Sequence, residues 1–325
     1  MTPPRQNRPA PSRRPPSRTR IALAVAGVLV AVPIVAAVVL SNYDWNNARP
    51  WLNEKISESI DRPFDIRGDL SLTWERQGIS GADRTWRDYL PLPHLVAKDV
   101  HVGNPAGMRA PAEMASVGQF AFAVDLLSLL DHKISVPVLR FDNPTVLLQR
   151  DADGRNNWTF KPADKPSPWK LDVQRVVFSK GSVRYIDAMT HVDATAAIDT
   201  INADPTYGVS WKLRGKWNNQ TVTGSGKSGA VLSLREQTVP FPLAASLNIG
   251  GTSIAVEGTL TKPTALTALD MRLKISGPSM ARLYGITGVL LPETPAFSTE
   301  GHLTGNIGAN ASHWIYDQFT GRVGH

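Results

Sequence analysis

Hydrophobic and polar residues alternate with a period of two along most of this chain. In residues 64–74, five large apolar residues alternate with charged or hydroxyl-bearing residues, and Gly68 keeps the apolar register. This pattern predicts a half-buried antiparallel strand with one apolar face and one solvated face. The alternation recurs in residues 95–103, 117–126 and 191–261, including a predicted strand over residues 231–234.

Helical spacing is rare by comparison. Residues 49–60 place four apolar residues at helical intervals, which predicts one short amphipathic helix that Pro63 ends. Its apolar stripe could rest on lipid or cover the start of the sheet. Shorter helical turns are predicted over residues 126–130 and 278–284. The patterns together predict a mainly β protein with a few short helices.

Two segments, residues 136–151 and 171–187, resemble each other. Each reads as a strand, a polar turn at residues 142–144 or 179–181, and a second strand that ends in aspartate. We therefore expect a hairpin in each copy and a repeated β unit. A Pro- and Lys-rich linker over residues 161–168 separates the copies and is a possible boundary within the β-rich region.

An unbroken apolar segment runs from Ile21 to Leu40, without a charged or hydrogen-bonding side chain. About 20 apolar residues are needed to cross a bilayer core of roughly 30 Å, so the segment predicts a transmembrane anchor. Tyr43 and Trp45 follow it, as aromatic residues do at a bilayer surface. The alternative is a cleaved signal peptide, whose apolar region is shorter, about 7–15 residues, and ends in a small-residue cleavage site.

Arginines precede this segment and no acidic residue does; among them are Arg13, Arg14, Arg18 and Arg20. Under the positive-inside rule, this asymmetry places the N-terminus in the cytoplasm. We expect a disordered basic tail over residues 1–20, a single transmembrane anchor over residues 21–41, and a β-rich region over residues 42–325 outside the cytoplasm.

The net charge of +7 comes almost entirely from that tail. The tail holds six of the 35 basic residues, so 29 basic residues face 28 acidic ones in the remainder. A nucleic-acid-binding domain carries its positive charge in the folded region, so this class is disfavoured. The chain has no cysteine, which excludes disulfides, thiol catalysis and thiolate metal sites.

Local motifs point to no catalytic, metal-binding or cofactor-binding residue. Residues 224–228 (GSGKS) resemble part of a phosphate-binding loop, but Thr221 stands where its first glycine belongs, so we expect a hairpin turn there. Residues 151–154 lack the remaining ligands of a calcium loop and predict an ordinary turn. The seven histidines are scattered, and no HExxH or GxSxG motif is present.

Several stretches, in fixed order, resemble the AsmA family of bacterial envelope proteins. They are DRPFDIRGDL (61–70), VGNPAG (102–107), RDADGRNNW (150–158), LPETPAF (291–297) and FTGRVG (319–324). In that family the last stretch continues into a further β region, so the chain reads as truncated or as a short member.

The resemblance implies a single-pass protein of the bacterial inner membrane with a periplasmic β-rich body. The family is similar to chorein-type bridge proteins, in which an elongated, twisted antiparallel sheet forms a lipid-lined groove. It is associated with outer-membrane assembly and with phospholipid transport between the two membranes. No catalytic residue or cofactor follows from the resemblance, and the implied partners are the inner membrane and its phospholipids, with other envelope proteins as further candidates.

The alternating strands supply residues for such a groove, because the few predicted helices cannot cover all their apolar faces. The candidate lipid-lining residues are Phe64, Ile66, Leu70, Leu72, Val100, Val102, Phe120, Phe122 and Val124. Patterning alone equally fits a closed β-sandwich with these residues in its core. The alternative function is a scaffold that holds outer-membrane proteins by strand addition at an exposed sheet edge.

Overall fold

The computed structural model describes residues 35, 37–75, 91–108, 113–160, 168–234, 240–263, 267–284, 290–306 and 313–324. The chain divides into two compact units, Met1–Asp44 and Trp45–His325. In the first unit, residues 37–42 are helical. No described helix has both the length and the apolarity to cross a membrane. The predicted anchor falls mostly outside the described residues, as do the tail arginines and Ile21.

The second unit contains a sheet of fifteen strands and a separate sheet of two. Strands β1–β9 are Phe64–Ile66, Leu70–Glu75, Leu92–Gly103, Glu113–Ala123, Lys133–Val136, Leu139–Arg150, Lys170–Val173, Val176–Ser179 and Gly181–Asp187. Strands β10–β17 are Val192–Thr200, Val209–Trp217, Gln220–Ser228, Phe241–Ile249, Thr252–Lys262, Thr267–Gly277, Phe297–Asn306 and His313–Val323. Helix α1 is Arg49–Ile60, and 3₁₀ segments are Trp45–Ala48, Leu126–Asp131, Val231–Leu234 and Met280–Leu283.

The large sheet runs in the order β1-β3-β4-β6-β9 and then β10 to β17, with β2 also on β3 and β8 also on β6. The mainly β prediction is confirmed. The antiparallel prediction holds except at β6, which pairs in parallel with β8 and β9. Strands β5 and β7 form the small parallel sheet. The sheet is mixed because the two similar segments lie side by side in the same direction.

This parallel pairing follows the internal repeat. Lys133 pairs with Lys170, Leu139 with Val176, and Arg150 with Asp187, so each residue meets the one 37 positions further on. The two copies therefore have the same conformation and stack in register, which supports the repeated unit seen in the sequence.

The hairpin predicted within each copy is wrong. Asn143 and Lys180 occupy equivalent positions and both have left-handed backbones, with φ of 51° and 54°. A single left-handed residue bends a strand and shifts its alternation without reversing the chain. Asp99 on β3, with φ of 51°, has the same conformation at the same level of the sheet. These residues keep apolar side chains on one face where strict alternation would turn them over.

The N-terminal elements match the sequence closely. Helix α1 has the predicted bounds. The strand predicted over residues 64–74 is split into β1 and β2 around Gly68, where a Cβ atom would lie 2.7 Å from the carbonyl oxygen of Lys98. Both parts keep the predicted apolar face, because both pair with β3.

Two local predictions further along the chain are wrong. Residues 224–228 lie inside the extended strand β12 and form no turn. The predicted strand at Val231–Leu234 is a 3₁₀ segment, because the Ser233 backbone N–H bonds the Ala230 carbonyl at 3.0 Å. The turn predicted at residues 151–154 is confirmed by the bond from the Gly154 N–H to the Asp151 carbonyl at 3.0 Å.

Three of the motif stretches quoted above meet in one hydrogen-bonded cluster. The Asn157 side chain is fully buried and donates to the Asn104 side chain and to the Leu147 carbonyl, each at 2.8 Å. Buried Arg62 donates to the Thr159 carbonyl at 2.8 Å. Buried amide and guanidinium groups are costly without partners, so these contacts explain the polar residue types at these positions.

A second buried polar network joins β9 to β6. The carboxylate of Asp187, only 1% exposed, accepts hydrogen bonds from Arg150, Tyr185, Thr190 and the Met189 backbone. The hydrogen bond from the Arg150 guanidinium, supported by these other donors, holds the pKa of Asp187 well below its usual range. The network fixes the parallel junction of the two repeat copies.

We expect Asp187→Asn to destabilise the fold by about 2 to 3 kcal/mol, because it removes the charge paired with Arg150. Asp187 contributes stability above its unfolded pKa of 3.8, and the contribution is lost as pH falls toward the folded value. The melting temperatures of wild type and variant should therefore converge on going from about pH 6 to about pH 2. Asp153→Asn, at an exposed carboxylate, is the matched control and should change the melting temperature little. If the melting temperatures of wild type and Asp187→Asn instead fell in parallel with pH, the stabilising role of the Asp187 charge would be contradicted.

Candidate functional site

The predicted lipid-lining residues share one face of the sheet. Phe64 pairs with Val102, and Ile66 with Val100. Leu70 and Phe120 both pair with Ala97 on opposite sides of β3. Leu72 and Phe122 both pair with Leu95. Val124 follows β4, and its backbone N–H bonds the Pro93 carbonyl at 3.2 Å.

Helix α1 covers one end of this face. Trp45 and Leu52 pack against a buried cluster that contains Ile66, Leu70 and Val100. The sequence left open whether the apolar stripe of this helix rests on lipid or covers the start of the sheet. The structure shows that the stripe contacts the sheet through Leu52. Three of the predicted lining residues therefore belong to a local core beneath the helix.

Aromatic rings continue the face beyond the helix. Phe120 lies 5.4 Å from Phe122 and 5.1 Å from Phe141 between ring centroids, and Phe141 lies 6.0 Å from Phe178. All four side chains are half-buried. The aromatic row crosses β4, β6 and β8 and links the N-terminal strands to the rest of the apolar face.

The same face extends across β10 to β16, which the candidate residues chosen from the sequence did not include. Cross-strand pairing places these apolar residues on it: Ala196, Ile198, Trp211, Leu213, Leu243, Ala245, Leu247, Ile254, Val256, Met271, Leu273 and Leu303. We call this surface, together with the predicted lining residues and the aromatic row, the apolar face. The alternation in residues 209–260 signalled it, but pairing register was needed to join the strands into one surface.

Glycines on β12 let large side chains lie flat on the apolar face. A Cβ atom at Gly226 would come within 2.5 Å of the Trp211 ring, and one at Gly224 within 2.4 Å of the Leu247 side chain. Substitution at either glycine would push those side chains off the sheet. The central part of the face is therefore low and smooth, with half-buried Trp211 and Leu247 as its surface.

The first edge of the large sheet is closed by side chains. Side-chain oxygens accept hydrogen bonds from backbone N–H groups of this edge. Ser57 accepts from Phe64 at 2.9 Å, Asn53 from Ile66 at 3.1 Å and Asn46 from Leu70 at 3.0 Å. Arg49 donates to the carbonyls of Arg67 and Gly68 at 3.1 and 2.7 Å. The edge is therefore closed to another strand over residues 64–70.

The last edge differs. The outer side of β17 pairs with no other strand in the part of the chain that the structure describes. Trp314, Ile315, Phe319 and Val323 are each half or more exposed. The strand contains neither lysine nor proline, and its protection against pairing is limited to Asp317, Arg322 and a bulge opposite Glu300 and His302.

Ionisable groups form ion pairs on the polar side. His101 lies 2.9 Å from Asp99 and 3.0 Å from Glu113. Burial opposes the charge of His101, but hydrogen bonds that its ring donates to the two carboxylates outweigh this effect and raise its pKa. Within the described residues, no group of three or more His, Cys, Asp or Glu side chains could hold a metal ion.

Comparison with known proteins identifies relatives. Residues 16–194 and 188–315 match the AsmA family. The chain is similar to the AsmA family protein YhjG of Escherichia coli (strain K12), with 32% identity over 334 aligned positions, 94% of this chain and 48% of that protein. The chain thus spans about half the length of this relative. No solved structure gives a significant match.

Proposed function

This chain belongs to the AsmA family, and from that premise we propose that its apolar face holds phospholipid acyl chains and helps to move phospholipid through the bacterial envelope. Family membership indicates a function in the envelope. We propose that the protein sits in the inner membrane with its N-terminus in the cytoplasm, carries its β-rich unit in the periplasm, and acts without catalysis.

The observation that carries the proposal is a continuous apolar face with little cover. Helix α1 packs over one end of it, and the large sheet faces no second sheet of comparable size among the described residues. Transfer of each methylene group from water to such a surface is worth about 0.8 kcal/mol. An acyl chain on the face would gain this energy while its headgroup stayed in water.

The flat centre of the face suits a mobile ligand. Because Gly224 and Gly226 let Leu247 and Trp211 lie flat on the sheet, no β12 side chain stands between the neighbouring strands at these two positions. A smooth apolar surface offers many similar positions to an acyl chain and no polar group that would hold it at one point. Such a surface favours movement of an acyl chain along the apolar face over tight binding at one position.

A second candidate function is a scaffold that holds envelope proteins by strand addition. The open, exposed edge of β17 favours it, because unpaired backbone groups bind an incoming strand. Side chains close the other edge over residues 64–70, so strand addition is favoured at β17.

Lipid contact can be tested with a photo-crosslinking amino acid at Leu247 or Phe122 in the full chain in cells. We expect phospholipid adducts at both positions, because both lie on the apolar face. The matched control is Asn248, the neighbour of Leu247 on the same strand but on the opposite face. If both Leu247 and Phe122 formed adducts only with protein, the proposal of lipid contact would be contradicted.

Strand addition can be tested by charging the open edge. If β17 holds a partner, Ile315→Lys with Phe319→Lys should abolish co-purification of envelope proteins, since edge lysines block pairing. The control Ser71→Lys with Thr73→Lys places the same added charge on β2, at the other edge of the sheet, and should leave capture unchanged. If wild type captures no protein partner and the β17 variant still forms lipid adducts, the scaffold function is contradicted and lipid handling is retained.

A further inference from the structure

The polar face of the sheet, opposite the apolar face, contains a depression of about 920 Å³ that is open to solvent. Two neighbouring cross-strand rows form most of its lining. The first row is Ala197, Lys212, Ser225, Ser246, Ala255, Lys274 and Glu300. The second row is Asp199, Ser210, Lys227, Ala244, Glu257 and Arg272. We call this space the polar cavity.

Side-chain size explains the polar cavity. Small residues on β12 to β14 form its centre, among them Ser225, Ala244, Ser246 and Ala255. Long charged side chains stand on both sides, with Lys212 on β11 as an example. Short side chains between long ones leave room for a ligand, and the volume lies within the range of small-molecule sites, about 300–1,000 Å³.

Four residues at one side of the polar cavity form a square of alternating charge and hydroxyl. Lys212 pairs with Ser225, and Ser210 pairs with Lys227, across β11 and β12. The two lysines thus occupy one diagonal and the two serines the other, with diagonal neighbours about 7–8 Å apart. Two ammonium groups and the Ser225 hydroxyl can donate to one anion between them. The Ser210 hydroxyl donates to the Asp199 carbonyl at 3.4 Å, a long contact that it would exchange for the anion.

The positive charge of this square is little used within the protein. Lys212 makes no ion pair within the described part of the chain. Lys227 lies 3.5 Å from Asp204, and the lysine side chain is half exposed, so this pair is weak. Asp199 is the other nearby acid, and its carboxylate accepts the Lys180 backbone N–H at 2.7 Å. An incoming anion therefore displaces no strong internal contact.

The far side of the polar cavity is different. Arg272 and Lys274 share the carboxylate of Glu300 at 3.4 and 3.6 Å. Glu257 pairs across the strands with Arg272 and adds a second negative charge. The two positive and two negative charges on this side cancel. Its side chains can both donate hydrogen bonds to the rest of a ligand and accept them from it. The anionic group is thereby directed to the Lys212 side.

We propose that the polar cavity binds a phosphate-bearing ligand, with the phosphate held by Lys212, Ser225, Ser210 and Lys227. Phosphate oxygens accept several charged and neutral hydrogen bonds at once, which matches two lysines and two hydroxyls. The site differs from a phosphate-binding loop, because residues 224–228 are an extended strand that presents side chains. It lies on the opposite face from the acyl-chain surface and stands whether or not that surface binds lipid.

The ligand class is tested with the full chain in neutral detergent. Two soluble probes are titrated and followed by ³¹P NMR: sn-glycerol 3-phosphate, a free organic phosphate, and glycerophosphoglycerol, a phospholipid headgroup without acyl chains. Binding of the first alone identifies a free phosphate monoester as the ligand, and binding of the second identifies a headgroup. Either result supports the site, whereas binding of neither probe overturns it.

Variants locate the binding. Lys212→Gln with Lys227→Gln should weaken binding by about tenfold or more, because two charged hydrogen bonds to phosphate are lost. Ser246→Phe fills the centre without changing charge and should also weaken binding. The control Lys98→Gln with Lys216→Gln removes the same charge outside the polar cavity and should leave the affinity within about twofold, apart from screened long-range effects. Equal weakening by the control and the Lys212 and Lys227 pair would overturn the proposal.

Discussion

A sheet with one apolar face has to cover that face, and this constraint governs the architecture of the β-rich unit. The left-handed residues Asp99, Asn143 and Lys180 keep apolar side chains together where plain alternation would scatter them. Helix α1 then covers one end through Leu52, and most of the remaining face stays half-buried. The cost of leaving apolar surface in water is the physical reason to expect an apolar ligand there.

The two sheet edges obey a second constraint, the need of backbone groups for partners. Side chains of α1 and of the preceding 3₁₀ segment satisfy backbone groups of residues 64–70, with Ser57 bonded to Phe64 as an example. The edge at β17 keeps exposed apolar residues and has no such side-chain contacts in the described region. Within the described residues, the two edges therefore differ, with residues 64–70 closed by side chains and β17 exposed.

Sequence reasoning succeeded where the signal is local. Helix α1 and the apolar face of residues 64–74 follow from spacing within a dozen residues, and the family resemblance is confirmed by the comparisons. It failed at Asn143 and Lys180, because a polar triplet that reverses a chain and one that only bends it have the same composition. It also misread residues 224–228, since the glycines that suggest a turn serve instead as the surface on which Trp211 and Leu247 lie.

The polar cavity shows the same limit more clearly. Lys212 and Ser225 are 13 positions apart, on consecutive strands, and meet through the pairing register of β11 with β12. No local motif carries such a square, because its geometry depends on register between strands. The two faces of one sheet thus present different chemistry, apolar on one side and anion-binding by proposal on the other.

The central claim, that the apolar face holds lipid, is tested most directly by mass spectrometry of the full chain purified from cells in mild detergent. The account predicts bound phospholipid in the wild-type protein, and its loss when Leu213→Glu and Leu247→Glu place charges on the apolar face. A folded wild-type protein that carries no phospholipid, or a double variant that keeps as much lipid as wild type, would contradict it.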